Sequence, residues 1–176
     1  EIERMFLSDA SENSISKFKN FHNLKYFAIF SSMISSSDLE KVSTFDNLEK
    51  FSIVYSDVDF KGFNNDSVSC IKVGWSKIKN LNALSECQSL KSITISSVLY
   101  DNYIVFEGKE YVMKDSSFLT SFDCVEELRI FEDKIEDISG ILEMDSLKVL
   151  EIDKGTISED DRKLLEDKGI SVIEND

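Results

Sequence analysis

The 176-residue chain predicts an α/β solenoid: a parallel β-sheet on the concave face, short helices or turns on the convex face, and a β-hairpin insertion near residues 99–115. Three observations carry this. A pattern of apolar residue, two spacers, apolar residue, one spacer, apolar residue recurs at Ile2, Leu24, Leu48, Val68, Leu90, Val125 and Leu147, with a frayed eighth copy at Ile170. Successive first positions lie 22, 24, 20, 22, 35, 22 and 23 residues apart, so one spacing is long and the rest are nearly constant. Between copies, apolar residues fall three or four apart, as in Ile78, Leu81 and Leu84, or Ile135, Ile138, Ile141 and Leu142. That is the spacing of a helix face.

Each copy reads as a strand. In Leu147-Lys-Val-Leu150-Glu-Ile152 the fourth and sixth positions are apolar and the third and fifth are mixed, the period of two that a strand with one buried face requires. The segments after the strands read as short helices or helical turns, with Ser36, Ser76 and Ser158 placed to cap their starts. A unit of this size cannot bury its own apolar face, so neighbouring units must stack strand beside strand, and residues 1–176 form one domain. Phe18, Phe21, Phe45, Phe63 and Phe122 fall just upstream of a repeat's first position, where a ring fills the space between strand and helix. His22, in the turn "FHNL", reads as a surface residue. With no proline and six glycines, the turns must be made by Asn, Asp and Ser, which bond their own backbone and tolerate left-handed geometry.

The repeated Leu-x-x-Leu-x-Leu signature, at Leu24, Leu48, Leu90 and Leu147 with conservative variants elsewhere, resembles the leucine-rich repeat family. The irregular bacterial type, with repeats of about 22 residues, is the nearest in form. The resemblance covers essentially the whole chain and implies a non-catalytic, protein-binding solenoid. In one respect the chain departs from the family: the asparagine that normally follows each strand is missing from most copies. Serine or acidic residues occupy that region, as in "IFSSMI", "IVYSDV" and "FEDKIED", which puts a regular asparagine ladder in doubt.

The long spacing holds "SSVLYDNYIVFEGKEYVMKDSSF". Two runs of strand-favouring residues, Tyr103–Phe106 and Glu110–Met113, flank Glu-Gly-Lys, so Gly108 supplies a turn and the insertion becomes a hairpin. It is expected to project between the fifth and sixth strands and to offer Tyr103, Glu110 and Tyr111 to a partner. The alternative is a hairpin folded back over apolar surface.

Composition restricts the chemistry. Net charge is −14, and residues 123–176 hold 18 acidic and 7 basic side chains, so the C-terminal third carries most of the field. Such a surface repels nucleic acid and anionic membranes and steers basic partners toward it. No apolar run approaches the ~20 residues a membrane span needs, and "EIERMFLSDA" lacks a signal-peptide pattern. A cytoplasmic location is expected, or a secreted or cell-surface one if the chain is part of a longer protein. Cys70, Cys87 and Cys124 are neither paired nor close to the lone histidine, which argues for reduced structural thiols. There is no Gly-rich phosphate loop, nucleophile elbow or zinc motif, and the acidic pairs read as solvated faces. No enzyme activity, cofactor or metal is expected.

What remains is surface. Positions three and five of successive strands should line the concave sheet: Tyr26, Lys50, Ser92 and Glu127 in one row, and Ser52, Lys72, Thr94, Arg129 and Glu151 in the next. Phe30, Tyr55, Trp75 and Phe131 follow the strands at the rim, where aromatic residues commonly anchor interfaces. A protein partner, basic in character, fits best. A bacterial immunity or inhibitor protein that occludes a basic toxin or enzyme is one concrete version, and a segment of a longer surface adhesin or secreted effector is the alternative. Oligomeric state is not legible.

Overall fold

The computed structural model describes residues 2–19, 21–101 and 103–176; Asn102, within the insertion, lies outside the described residues, as do Glu1 and Asn20. In chain order the strands are β1 (Arg4–Ser8), β2 (Tyr26–Phe30), β3 (Met33–Ile34), β4 (Lys50–Val54), β5 (Asp57–Asp59), β6 (Cys70–Gly74), β7 (Lys77–Lys79), β8 (Ser92–Ser96), β9 (Leu99–Tyr100), β10 (Ile104–Glu107), β11 (Glu110–Met113), β12 (Glu127–Phe131), β13 (Asp133–Ile135), β14 (Val149–Asp153) and β15 (Ser171–Asn175). The α-helices are α1 (Ser36–Val42), α2 (Ser139–Leu142) and α3 (Glu159–Asp167), with 3-10 turns at Ile15–Lys17, Leu81–Glu86 and Ser117–Ser121.

An eight-stranded sheet runs in the order β1-β2-β4-β6-β8-β12-β14-β15, and every neighbouring pair in it is parallel. The register follows the repeat: Phe27, Phe51, Ile71, Ile93, Leu128 and Leu150 align across the sheet, and so do Ile29, Ile53, Val73, Ile95, Ile130 and Ile152. These two rows are buried, because the period of two turns both toward the helical side. The repeat pattern and its spacing therefore do build one stacked solenoid.

A chain of ring contacts runs through the first half of the core. Phe21 meets Phe45 edge to face at 5.8 Å, Phe45 meets Phe27 at 6.0 Å, Phe27 stacks on Phe51 at 5.8 Å, and Phe51 stacks on Phe63 at 5.7 Å. Phe45, Phe63 and Phe122 are fully buried, whereas Phe18 and Phe21 are half-buried and pack on the core from the N-terminal end.

The sequence pattern does not predict a second sheet, which forms just after the long strands in the order β13-β11-β10-β9-β7-β5-β3. Each of its short strands outside the hairpin turns an apolar residue inward: Ile34, Val58, Ile78, Tyr100 and Ile135. Ile78 and Ile135 thus belong to strands, and the helical spacing they show is coincidental. The insertion is a hairpin, but it does not project between the fifth and sixth long strands. Ser92–Ser96 of β8 pairs directly with Glu127–Phe131 of β12. The hairpin enters the second sheet instead: β10 pairs antiparallel with β9 through Ile104 and Tyr100, and β11 pairs parallel with β13 over Tyr111–Met113 and Asp133–Ile135. Burial explains the placement, since Ile104 and Met113 are fully buried and would meet water in a free-standing arm.

The capping residues also differ in part. Ser35, one residue before the expected Ser36, caps α1, its hydroxyl accepting from the Asp38 amide in a capping box. Ser158 caps α3 as expected. Ser76 caps no helix and lies buried in the turn between β6 and β7. In that turn its hydroxyl belongs to a serine ladder, at the positions where the sequence resemblance implies asparagine. The amide of Ala10 donates to Ser32 Oγ at 3.0 Å, that of Ser32 to Ser56 Oγ at 3.1 Å, and that of Ser56 to Ser76 Oγ at 3.1 Å. Each hydroxyl in turn donates to the carbonyl two residues earlier, at 2.7 to 2.9 Å. A serine can satisfy both groups because its hydroxyl is donor and acceptor at once.

The last strand departs from the frayed copy by one position. Val172 pairs with Leu150 and faces inward, Ile173 pairs with Glu151 and is exposed, and Glu174 takes the place of the sixth-position apolar residue. Arg162 of α3 holds that carboxylate at 2.7 Å, so an ion pair stands where the earlier copies have an apolar contact.

Candidate functional site: the outward face of the long sheet

The same register that buries positions four and six sets positions three and five in rows on the opposite face. One row is Arg4, Tyr26, Lys50, Cys70, Ser92, Glu127 and Val149, and the next is Phe6, Ala28, Ser52, Lys72, Thr94, Arg129 and Glu151. The expected row residues therefore do lie together on one surface. Arg4 and Phe6 extend these rows onto β1, and the copy at Ile2 is the signal that places them there.

Exposure divides the face. Lys50 and Lys72 are exposed, while Ser52, Ser92 and Thr94 are buried and form its floor. Their small side chains lie among longer neighbours: the Arg129 guanidinium, for example, donates to Ser92 Oγ at 2.8 Å. Gly74, Ser96 and Ala28 complete a floor of small residues.

At the rim, Tyr55 is 58% exposed and Trp75 38% exposed, and their rings stack with centroids 5.3 Å apart and planes 22° from parallel. Both residues hold left-handed backbone, at φ 52° and 46°, because they occupy the first turn residue after a strand. Bulky side chains rarely adopt that geometry. Phe30 and Phe131 are half-buried. On β1, Phe6 is 59% exposed and touches both Tyr26, at 5.4 Å, and Phe30, at 6.5 Å.

Toward the C-terminal end the face becomes ionic. Arg129 donates to Glu151 at 2.7 Å and to Glu127 at 2.9 Å, and Asn175 donates to the second oxygen of Glu151 at 3.0 Å. The bonds from Asn175 and Arg129 hold the Glu151 carboxyl below its usual pKa, and the bond to Glu151 raises that of Arg129. The charge of Arg129 is thus neutralised within the face.

The hairpin residues separate. Tyr103 is half-buried and stacks on Tyr100 at 5.1 Å and against Phe118 at 5.4 Å, so it serves the core. Tyr111 is half-buried and meets the exposed Phe106 edge to face at 5.0 Å, and Glu110 is exposed. They lie on the second sheet, apart from the rows above.

Other chemistry is sparse. Among the described residues no three of His, Cys, Asp and Glu converge to hold a metal, and no helix is long and apolar enough to cross a membrane. Cys70, Cys87 and Cys124 are free thiols, and burial pushes the Cys87 thiol up to about 11. His22 is exposed, 3.3 Å from Asp46.

The architecture is that of a leucine-rich repeat solenoid. No family model matches the chain, and no curated protein matches it. Among solved structures, internalin C2 of Listeria monocytogenes superposes with a TM-score of 0.50 at 14% identity, over 88% of this chain and 72% of that one. An internalin from the same organism, inlF, gives 0.44 at 13% identity over 86% of this chain, and the leucine-rich repeat domain of APL1B gives 0.42 at 11% over 75%. The chain spans 54% of the inlF structure and 50% of APL1B. At these identities the likeness is one of fold.

Proposed function

We propose that this chain is a non-catalytic protein-binding module that engages its partner with the outward face of the long sheet. The exposed Tyr55–Trp75 stack carries this reading. Two large rings, 58% and 38% exposed, stack on each other outside the core cluster on left-handed backbone, and at an interface they supply large contact area at low entropic cost. The small-residue floor beside them lets a partner's backbone approach. The acidic C-terminal third favours a partner with a basic region, as an inhibitor or immunity protein occluding a basic toxin or enzyme would need.

Affinity capture from the host's lysate tests the reading. A partner should be retained by the wild-type chain and by Glu143→Ala, a change on the helical side, and lost by the Tyr55→Ala/Trp75→Ala double variant. A partner retained equally by the double variant would contradict it.

A further inference from the structure

The face is electrically two-ended. Its N-terminal half carries Arg4, Lys50 and Lys72, all exposed, and none of the three makes an ion pair among the described residues. Arg4 lies over the rings of Tyr26 at 5.0 Å and Phe6 at 5.8 Å, so this half is both cationic and aromatic. Glu3 and Glu49 sit beside Arg4, Lys25 and Lys50 at its margin and offset part of that charge. The C-terminal half carries Glu127, Glu151 and Asp153 against Arg129 on its strands, with Glu132 at the rim; Lys134 and Lys154 line the same hollow as Glu132 and Asp153 but pair with Glu136 and Asp176. Because Arg129 is fully engaged by Glu127, Glu151 and Ser92, the charge left to a partner at that end is negative.

Resting on the binding reading above, we propose that the occupant is a single polypeptide segment polarised in charge, with acidic and apolar side chains over Lys50, Lys72 and Trp75 and basic side chains over Glu127, Glu151 and Asp153. A basic partner alone would leave Lys50 and Lys72 facing like charge, and an acidic one would meet the same penalty at the other end; a polarised segment satisfies both. The floor of Ser52, Gly74, Thr94 and Ser96 runs between the two ends, so the segment crosses the strands. From β4 to β14 the sheet spans about 19 Å at the usual strand spacing, a distance that about six extended residues cover.

The test uses two synthetic peptides of about twelve residues, long enough for that span. They have identical composition. In one the acidic-apolar and basic residues form two blocks, and in the other they alternate. Each is titrated into the isotopically labelled full chain while amide shifts are followed. The block peptide should shift amides in both β4–β6 and β12–β14 and bind about tenfold tighter than the alternating one. Lys50→Glu/Lys72→Glu should remove that advantage without changing the thermal midpoint. Equal affinities with shifts on the face would overturn the polarity and leave binding at this face standing. Shifts confined to one half would overturn it in the same way. Absence of shifts on the face with either peptide would overturn both.

Discussion

The amide of Ser97 donates to Oδ2 of Asp133 at 3.1 Å, and Oδ1 of that buried carboxylate meets no donor among the described residues. The pair marks the seam where the hairpin enters the second sheet. In earlier repeats the equivalent amide donates to a strand-end carbonyl, as Trp75 does to Ser96 at 2.8 Å, and the serine ladder runs alongside. Val98 breaks that ladder, and Asp133 stands at its next rung. Burial pushes the Asp133 carboxyl up to about 7, with Glu132 and Asp153 adding to the rise.

That shift has a sign. A carboxyl whose folded pKa lies above its unfolded value of 3.8 binds its proton more tightly in the folded state, so stability falls as pH rises from 3.8 to about 7. The ceiling is about 4 kcal/mol, from about 3 pKa units at 1.36 kcal/mol each. Asp133→Asn should flatten this slope and unfold at higher urea than wild type at pH 8. Urea titrations at pH 5 and pH 8 check it, and a wild-type chain equally stable at both would refute it.

Asp38 has the opposite sign. It is fully buried and accepts from the amides of Asn13, Ile15, Ser16 and Ser35 at 2.8 to 3.1 Å, tying the N-terminal turn to α1. Burial alone would raise its pKa, but the bonds from Ser35, Ser16 and Asn13 outweigh that and hold it below 3.8. Its contribution is therefore present above pH 3.8 and is lost as pH falls through the folded value. Asp38→Ala removes the reciprocal half of the Ser35 capping box and leaves buried amides unpaired, a loss of about 2–4 kcal/mol. Denaturant unfolding at neutral pH measures it.

The serine ladder should be sensitive to interruption. Ser56→Ala leaves the buried Ser32 amide without its acceptor, and Ser76→Ala does the same to Ser56. Each is expected to lose about 1–3 kcal/mol, the desolvation penalty of an unmatched amide. Ser56→Asn and Ser76→Asn, which keep a side-chain acceptor oxygen, test whether the hydroxyl is specifically required.

Two glycines separate space from conformation. A Cβ on Gly140 would lie 1.9 Å from the Ser116 carbonyl oxygen, where α2 packs on the Ser117–Ser121 turn. Gly140→Ala must therefore displace backbone, and a loss of about 3 kcal/mol or more is expected. Gly108, at φ 64°, has nothing within 4 Å, so Gly108→Ala costs only the left-handed penalty of about 1–2 kcal/mol. Thermal unfolding of both variants should rank them in that order.

The long strands are legible in sequence because each carries two inward apolar residues at a fixed offset, repeated at nearly constant spacing. The second sheet is not, because a strand such as Met33–Ile34 turns one apolar residue inward and one residue carries no period. The same limit hides the hairpin's seat, which is set by tertiary pairing with β9 and β13. Ser35 is hard to pick out as a cap because it stands in a run of serines, and Ser76 resembles one because helix caps and ladder rungs look alike in sequence. In the third repeat Asn65 has a role that no pattern announces: its buried amide reaches the carbonyls of Val42, Ser43 and Phe45 where other repeats place a helix. For the face, counting positions places the rows, while the burial of Ser92 depends on how far Arg129 reaches.

One measurement tests the stacked register from which the face arises. Lys50 of β4 and Cys70 of β6 are direct partners on that face. Their Cα atoms should be about 4.8 Å apart, close enough for a disulfide. Under mild oxidation, Lys50→Cys should bridge to Cys70 within one chain, identified by peptide mapping, while Glu49→Cys, one residue out of register with Cys70, should not. Failure of the first to bridge, or bridging of the second with equal efficiency, would contradict a parallel, in-register stack.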